Sequence, residues 1–262
     1  MTVTHESHHI EAPKGTQAII RAIHLLKAVA AAEQGSSLTE LATDLKLSPS
    51  TTHRILSALE SEGLVAHHVS SHRYTLGSAA LTIGAHALQK SDIRALARPL
   101  LLHLAGESGE TASLEIPVEG QMLILDEVAG SQIVGARVEV GTRWPIFATS
   151  TGKALLAELS DEALEVQLCH ARRRFTPETL VGKDALHADI RATRERGYAI
   201  ASGELEPGYV AVGAAVKDRM GLAVAALSIG GPNDRLSPDT LGRLGDLVVS
   251  SASELSNLLA AR

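Results

Sequence analysis

The sequence predicts an α+β fold in two parts: a small helical unit closed by a β-hairpin, then linking helices, then a larger domain on an antiparallel sheet. Three observations predict it. Between Thr16 and Ser61, apolar residues recur at helical spacing and are punctuated by helix caps. Two short strand-like runs, 64–69 and 72–76, follow directly, with Ser70-Ser71 at their tip. From Glu110 onward, short β-prone runs alternate with helical patterns.

Taken in order, residues 1–15 are polar and read as a flexible arm. The first helix is expected from Thr16 to Glu33, with Ile19, Ile20, Ile23, Leu26 and Ala30 as its apolar stripe and Gly35 closing the segment. Ser37-Leu38-Thr39-Glu40 is a capping box that opens a second, short helix presenting Leu38, Leu41, Ala42 and Leu45. Ser48-Pro49 opens a third with an N-cap and a proline at the first helical position, where the missing N–H costs nothing, and Gly63 ends it. After Gly77 a helical stretch carries Ala80, Leu81, Ile83 and Leu88, and another runs from about Ile93 to Leu104. Strands are expected at ASLEIPV (112–118), MLILDEV (122–128), QIVGARVEV (132–140), YVAVGAAV (209–216) and GLAVAALSI (221–229). Helices are expected near Gly152–Glu158, at 161–170 and 184–196, and from Pro238 toward Ala261. The domain reading is an arm at 1–15, a first domain at 16–77, linking helices at 78–106 and a second domain at 107–262.

With 262 residues, 45% of them apolar, the chain can bury a proper core, and only six aromatic residues mean that Ala, Leu, Val and Ile build it. No apolar run reaches the roughly 20 residues that span a bilayer. The first residues lack the pattern of a secretory signal, and Cys169 is the sole cysteine, so a cytoplasmic protein without disulfides is expected. The net charge of −6 falls entirely after residue 90. Residues 1–90 hold seven basic and seven acidic side chains, and 46–59 contain Lys46 and Arg54 with no acid. A neutral unit can bind DNA when its positive charge is gathered on one face.

Three helices with a tight turn between the second and third, followed by a hairpin, form a winged helix-turn-helix. At 100° per residue, Thr52, Ile55, Leu56 and Leu59 share the inner side of the third helix, and Ser50, His53, Arg54, Ser57 and Ser61 the outer. Arg54 then suits a guanine edge or a phosphate, and Ser50 and Thr51 suit phosphates or bases. Thr39 and Ser48, at the starts of the second and third helices, join the candidate contacts. Arg73 on the hairpin is the candidate for the adjacent minor groove or backbone. The ordinary alternative is a three-helix packing module with a wet polar face.

The run from Thr16 to Gly77, with HRIL..LE..GL at His53–Leu64 and RYTLG at Arg73–Gly77, resembles the IclR family of bacterial transcription regulators. ATSTGKALLAEL (148–159), RERGYAI (194–200), Glu204–Gly208 and LSIGGP (227–232) match in the same order, so the resemblance covers residues 16–262. One departure is Pro49, where the family often carries a basic residue; Lys46 is the nearest replacement. The resemblance implies a PAS/GAF-like effector domain whose sheet cups a small organic ligand, double-stranded operator DNA as partner, and a homodimer, with a dimer of dimers as the alternative assembly. No metal, cofactor or membrane partner is implied.

The residues fit such a domain. Gly141 and Gly152 bracket a stretch from Trp144 through Phe147 to Thr149, Ser150 and Thr151 that enters a helix, whose N-terminus favours anions such as a carboxylate or phenolate. Trp144 and Phe147 are candidate pocket walls, or ordinary packing. Positions where the resemblance implies polar, ligand-facing side chains hold Ala201, Ala211 and Gly230 here, with Ser228 retained. A wide, largely apolar pocket for an apolar or aromatic effector bearing one acidic group is the expectation.

Competing chemistry is weaker. Ser150 and Lys153 fit the S-x-x-K spacing of serine acyl-enzymes, without that class's other motifs. Gly152-Lys153 is no phosphate loop, because Phe147 stands where a glycine is needed and Ala154 where a hydroxyl is. His67, His68 and His72 cluster on the hairpin, but solvated histidines explain them more simply than a metal. Cys169, beside Leu168, is expected to be buried.

Overall fold

The computed structural model describes residues 16–32, 34–89, 92–131, 140–169 and 172–261. The arm at 1–15 and all but the last residue of the strand expected at 132–140 lie outside them. The chain divides into two compact units, Met1–Lys90 and Ser91–Arg262.

The first unit contains α1 (Gln17–Ala30), β1 (Ser36–Ser37), α2 (Leu38–Asp44), α3 (Pro49–Ser61), β2 (Val65–His68), β3 (Arg73–Leu76) and α4 (Ser78–Gln89). The capping box forms as expected: Ser37 Oγ accepts from the Glu40 amide and Glu40 Oε2 accepts from the Ser37 amide at 2.8 Å. Its core is Leu25, Val29, Leu41, Leu56, Leu59, Val65 and Tyr74. The stripe on α1 differs from the expectation: Leu25 and Val29 are buried, whereas Ile19 and Ile23 are 61% and 47% exposed. Apolar residues surround most of α1, so periodicity leaves its inward face open and docking against α3 and β3 selects it. The strand order is β1-β3-β2, all antiparallel. Strand β1 escaped the sequence because two serines extend only by pairing with Tyr74 and Arg73. Gly77 seats the hairpin's exit, since a Cβ there would stand 2.2 Å from the Gly63 carbonyl oxygen.

The second unit runs α5 (Asp92–Ser108), β4 (Thr111–Val118), β5 (Gln121–Val128), β6 (Arg143–Pro145), α6 (Ser150–Ala157), α7 (Asp161–Leu168), α8 (Lys183–Arg196), β7 (Ala199–Ser202), β8 (Tyr209–Lys217), β9 (Ala223–Pro232) and α9 (Pro238–Ala260). Its antiparallel sheet has the order β6-β5-β4-β9-β8-β7. Alternation gives the sheet two faces. Ala112, Leu114, Val212, Ala214, Leu227 and Ile229 are buried on the face toward α5 and α9. The register Ser113↔Ser228↔Gly213 lies on the other, over which α6 packs. Edge strands β6 and β7 are three and four residues long, too short for a period-2 signal. Cys169 is exposed, contrary to expectation, because Leu164 and Leu168 form the inward pair of α7 and Cys169 lies one residue further round.

Candidate functional site

In the first unit the site is the outer face of α3. Ser48 caps the helix by accepting from the Thr51 amide at 3.2 Å, and its hydroxyl reaches Thr51 Oγ1 at 2.8 Å. Thr52, Leu56 and Leu59 are buried, Ile55 and Thr51 half-buried, and Ser50, His53, Arg54 and Ser57 exposed. The outward set is therefore free of carboxylates over the first turns of α3. Thr39 is exposed at the start of α2, with its hydroxyl 3.2 Å from Ser37 Oγ. Arg73 is half-buried: Nη1 donates to the Gly35 carbonyl at 2.6 Å and lies 3.5 Å from Glu40 Oε2, tying the hairpin to the start of α2. On the same hairpin His67 stacks on Tyr74 at 4.5 Å, and His68 Nε2 lies 2.9 Å from Thr75 Oγ1.

The second unit holds a cavity of about 310 Å³ between the sheet face and the start of α6. Of the candidate effector residues, Trp144, Thr149, Ser150, Thr151, Ala201, Ala211 and Ser228 line it. Gly141, Phe147 and Gly152 do not. Gly141 occupies an exposed turn at φ +97°, and Phe147 packs with Phe175 on the far side. Gly152 lies beneath the cavity wall, where a Cβ would meet the Ile146 carbonyl oxygen at 2.0 Å. Thr149 caps α6 by accepting from the Gly152 amide at 3.1 Å.

The lining is more polar than the sequence suggested. Glu115 of β4 is buried, and both its carboxyl oxygens accept hydrogen bonds: Oε2 from Thr151 at 2.6 Å, Oε1 from Ser113 at 2.9 Å. Ser113 in turn lies 2.8 Å from Ser228 Oγ. Burial pushes the Glu115 carboxyl above its ordinary range, and the two hydroxyls pull back part of the way. Buried Glu110 holds Arg235 through two 2.6 Å bonds. Tyr209 fills the space opened by Gly230, where a Cβ would stand 2.3 Å from the tyrosine oxygen. Gly230 itself lines the cavity, and the room it leaves is shared with this side chain. Sequence reading missed Glu110, Ser113, Glu115, Tyr209 and Arg235. The available signal was Ser113 and Glu115, two polar residues of one parity inside an otherwise apolar strand.

Behind the cavity, Lys153 is fully buried on α6. Its Nζ donates to Glu204 Oε1 at 2.5 Å and lies 2.9 Å from Asp189 Oδ2, the latter outside hydrogen-bond alignment and so an electrostatic contact. Glu204 also reaches the cavity lining. Burial raises its carboxyl, and Lys153 opposes that shift. With both carboxylates on Lys153 and none of its hydrogen bonds going to Ser150, the amine is not placed as a base for that hydroxyl.

Comparison with known proteins covers both units. The chain matches the IclR helix-turn-helix domain over residues 18–68 and the description "Bacterial transcriptional regulator IclR C-terminal" over residues 85–257. It is 35% identical to the HTH-type transcriptional regulator BhcR of Paracoccus denitrificans, covering 95% of this chain and 89% of that protein. It is 32% identical to the acetate operon repressor of Salmonella typhimurium, covering 92% and 89%. An IclR homologue from Microbacterium hydrocarbonoxydans, solved with 4-hydroxybenzoate, shares the fold with a TM-score of 0.80 at 21% identity, covering 94% of this chain and all of that one. The winged helix-turn-helix, the sheet-and-helix second unit and these matches together place the chain in the IclR family of bacterial transcriptional regulators.

Proposed function

We propose that this chain is a cytoplasmic, homodimeric repressor that reads operator DNA with α3 and loses or gains operator affinity when a small organic effector occupies the cavity. One observation carries the DNA reading: α3 buries Thr52, Leu56 and Leu59 and leaves Ser50, His53, Arg54 and Ser57 bare on a face whose first turns hold no carboxylate. The first turn of such a helix enters the major groove, where Arg54 meets a guanine edge or phosphate. Thr39, Ser48 and Thr51 contribute at the helix starts and Arg73 from the hairpin. Repression is favoured by the named activity of the acetate operon repressor, and effector binding by the cavity and by the 4-hydroxybenzoate complex of the Microbacterium homologue.

Dimerisation fits the apolar side chains that the first unit leaves outside, Ile19, Ile23, Leu81 and Ile83. A two-fold reader matches a two-fold operator, and pairing of dimers is the natural extension. Effector binding then changes operator affinity by a coupling on the order of 1–3 kcal/mol. A catalytic role finds no support in the Ser150–Lys153 pair, whose lysine is held by Glu204 and Asp189.

A mobility-shift titration on the DNA upstream of the chain's own gene tests this. Arg54→Ala is expected to weaken binding by about 1–3 kcal/mol, roughly 5- to 150-fold, with thermal stability unchanged. Equal affinity of the variant and the parent would overturn the assignment of α3.

A further inference from the structure

We propose that the cavity takes a small organic cation, a protonated amine, amidine or guanidine, with Glu115 as its counter-ion. The inference rests on the reading of the cavity as the effector site and specifies the ligand's charge.

Glu115 is a buried carboxyl facing an open space, and its two bonding partners, Thr151 and Ser113, are neutral hydroxyls. Among the described residues no cation lies within ion-pair distance of it. The other charged groups of the lining do not compensate it. Among the described residues Arg235 is the cationic side chain there, and both its bonds go to Glu110. Glu204 is held by Lys153, and Glu206 is a further acid of the lining. A buried carboxylate without a counter-charge is costly, and a cation of complementary shape removes that cost.

The same arrangement disfavours an anion. The start of α6 is where a carboxylate would be drawn. The Thr151 hydroxyl at that start is already given to Glu115, so a carboxylate drawn there would lie beside the protein's own acid. A second carboxylate there could bind only beside a protonated Glu115, so its affinity would fall with rising pH where a cation's rises. The walls suit a cation as well. Trp144 and Tyr209 present aromatic surface, and a ring face attracts an ammonium or guanidinium. The Tyr209 hydroxyl has no hydrogen-bond partner among the described residues, so it is available to a ligand.

In the empty protein Glu115 is held toward its protonated form, since burial raises its carboxyl. Binding of a cation stabilises the carboxylate, so at pH values where Glu115 is still protonated in the empty protein its proton leaves to solvent as the ligand enters. Affinity should therefore rise with pH, by up to tenfold per unit, until Glu115 is ionised in the empty protein.

The experiment is isothermal titration of the full-length protein with benzylamine, benzamidine and agmatine, each against benzyl alcohol and benzoate, at several pH values and in two buffers of different ionisation enthalpy. Expected is binding of at least one cation, with proton release, and at least a tenfold loss in Glu115→Gln, a variant of the same size. Ala211→Leu, which intrudes on the cavity, should lose the same binding and so locate it. Binding of benzoate but of no cation, or cation binding indifferent to Glu115→Gln, would overturn the charge assignment. If benzoate binding is then lost in Ala211→Leu, the effector-site reading survives that failure. If no probe of any charge responds to Ala211→Leu, both readings fall.

Discussion

Gly213 of β8 lies directly beneath Ser150 of α6: a Cβ on the glycine would stand 2.9 Å from the Ser150 carbonyl carbon and from the Thr151 nitrogen. The first turn of α6 can reach Glu115 only because β8 lacks a side chain at that point. Gly213→Ala should push the turn away from the sheet and lower stability by about 1–3 kcal/mol, the usual cost of overpacking. It should also blunt the response to effector while leaving operator binding by the ligand-free protein intact. Urea unfolding and a mobility shift with and without ligand read the two effects separately.

Lys153 is the largest fully buried side chain, and its charge is used inside the protein. Lys153→Met keeps the volume but leaves buried Glu204 without its cation and half-buried Asp189 with only the more distant Arg196. Breaking a buried pair from one side costs about 3–5 kcal/mol. Adding Glu204→Gln and Asp189→Asn to the same protein should restore much of that loss. A triple variant as unstable as the single one would show that Lys153 acts by packing alone.

The pH dependence of stability follows from Glu115. Its folded-state pKa is raised above the ordinary 4.5, so the folded protein holds the proton to higher pH than the unfolded chain does. The contribution of this group is therefore fully present below pH 4.5 and is lost as pH rises through the raised value. Glu115→Gln removes that loss. The variant should gain stability over the parent as pH rises above that range, and the difference should vanish at low pH. Thermal melts from pH 4 to 9 would show the two curves diverging on the alkaline side. Parallel curves would mean that Glu115 is compensated in the folded protein.

How far the residues foretold this depended on whether their signal was local. Caps are local: Ser37 with Glu40, and Ser48 with Pro49, fixed the starts of α2 and α3, and the structure has both. The inner side of α3 was legible because only one of its faces is apolar. On α1, apolar residues lie all round, and the inward stripe is decided by a partner, α3, that begins nineteen residues after α1 ends. The cavity divided in the same way. The loop from Trp144 to Thr151 announced itself by its aromatic and hydroxyl residues. Glu110 and Arg235, 125 residues apart, form a pair that no spacing rule could join. An absent side chain at Gly230 reads as space in the sequence, whereas in the fold Tyr209 takes part of that space.

Arg73 separates structural from DNA-directed roles within one side chain. Nη1 is committed to the Gly35 carbonyl and the Glu40 carboxylate, which anchors the hairpin against α2. The guanidinium has further donors, and the side chain remains 39% exposed, so a phosphate can be met from the same position. Arg73→Ala should therefore have two effects. Stability should fall by about 0.5–1.5 kcal/mol, the net worth of a hydrogen bond of this kind. The slope of log affinity against log salt should become shallower by about one, the signature of a lost phosphate contact. Arg73→Lys keeps the charge but not the planar fork, so it should restore the slope and only part of the stability. A salt slope unchanged in Arg73→Ala would assign this residue to the anchor alone and leave the phosphate contacts to α2 and α3.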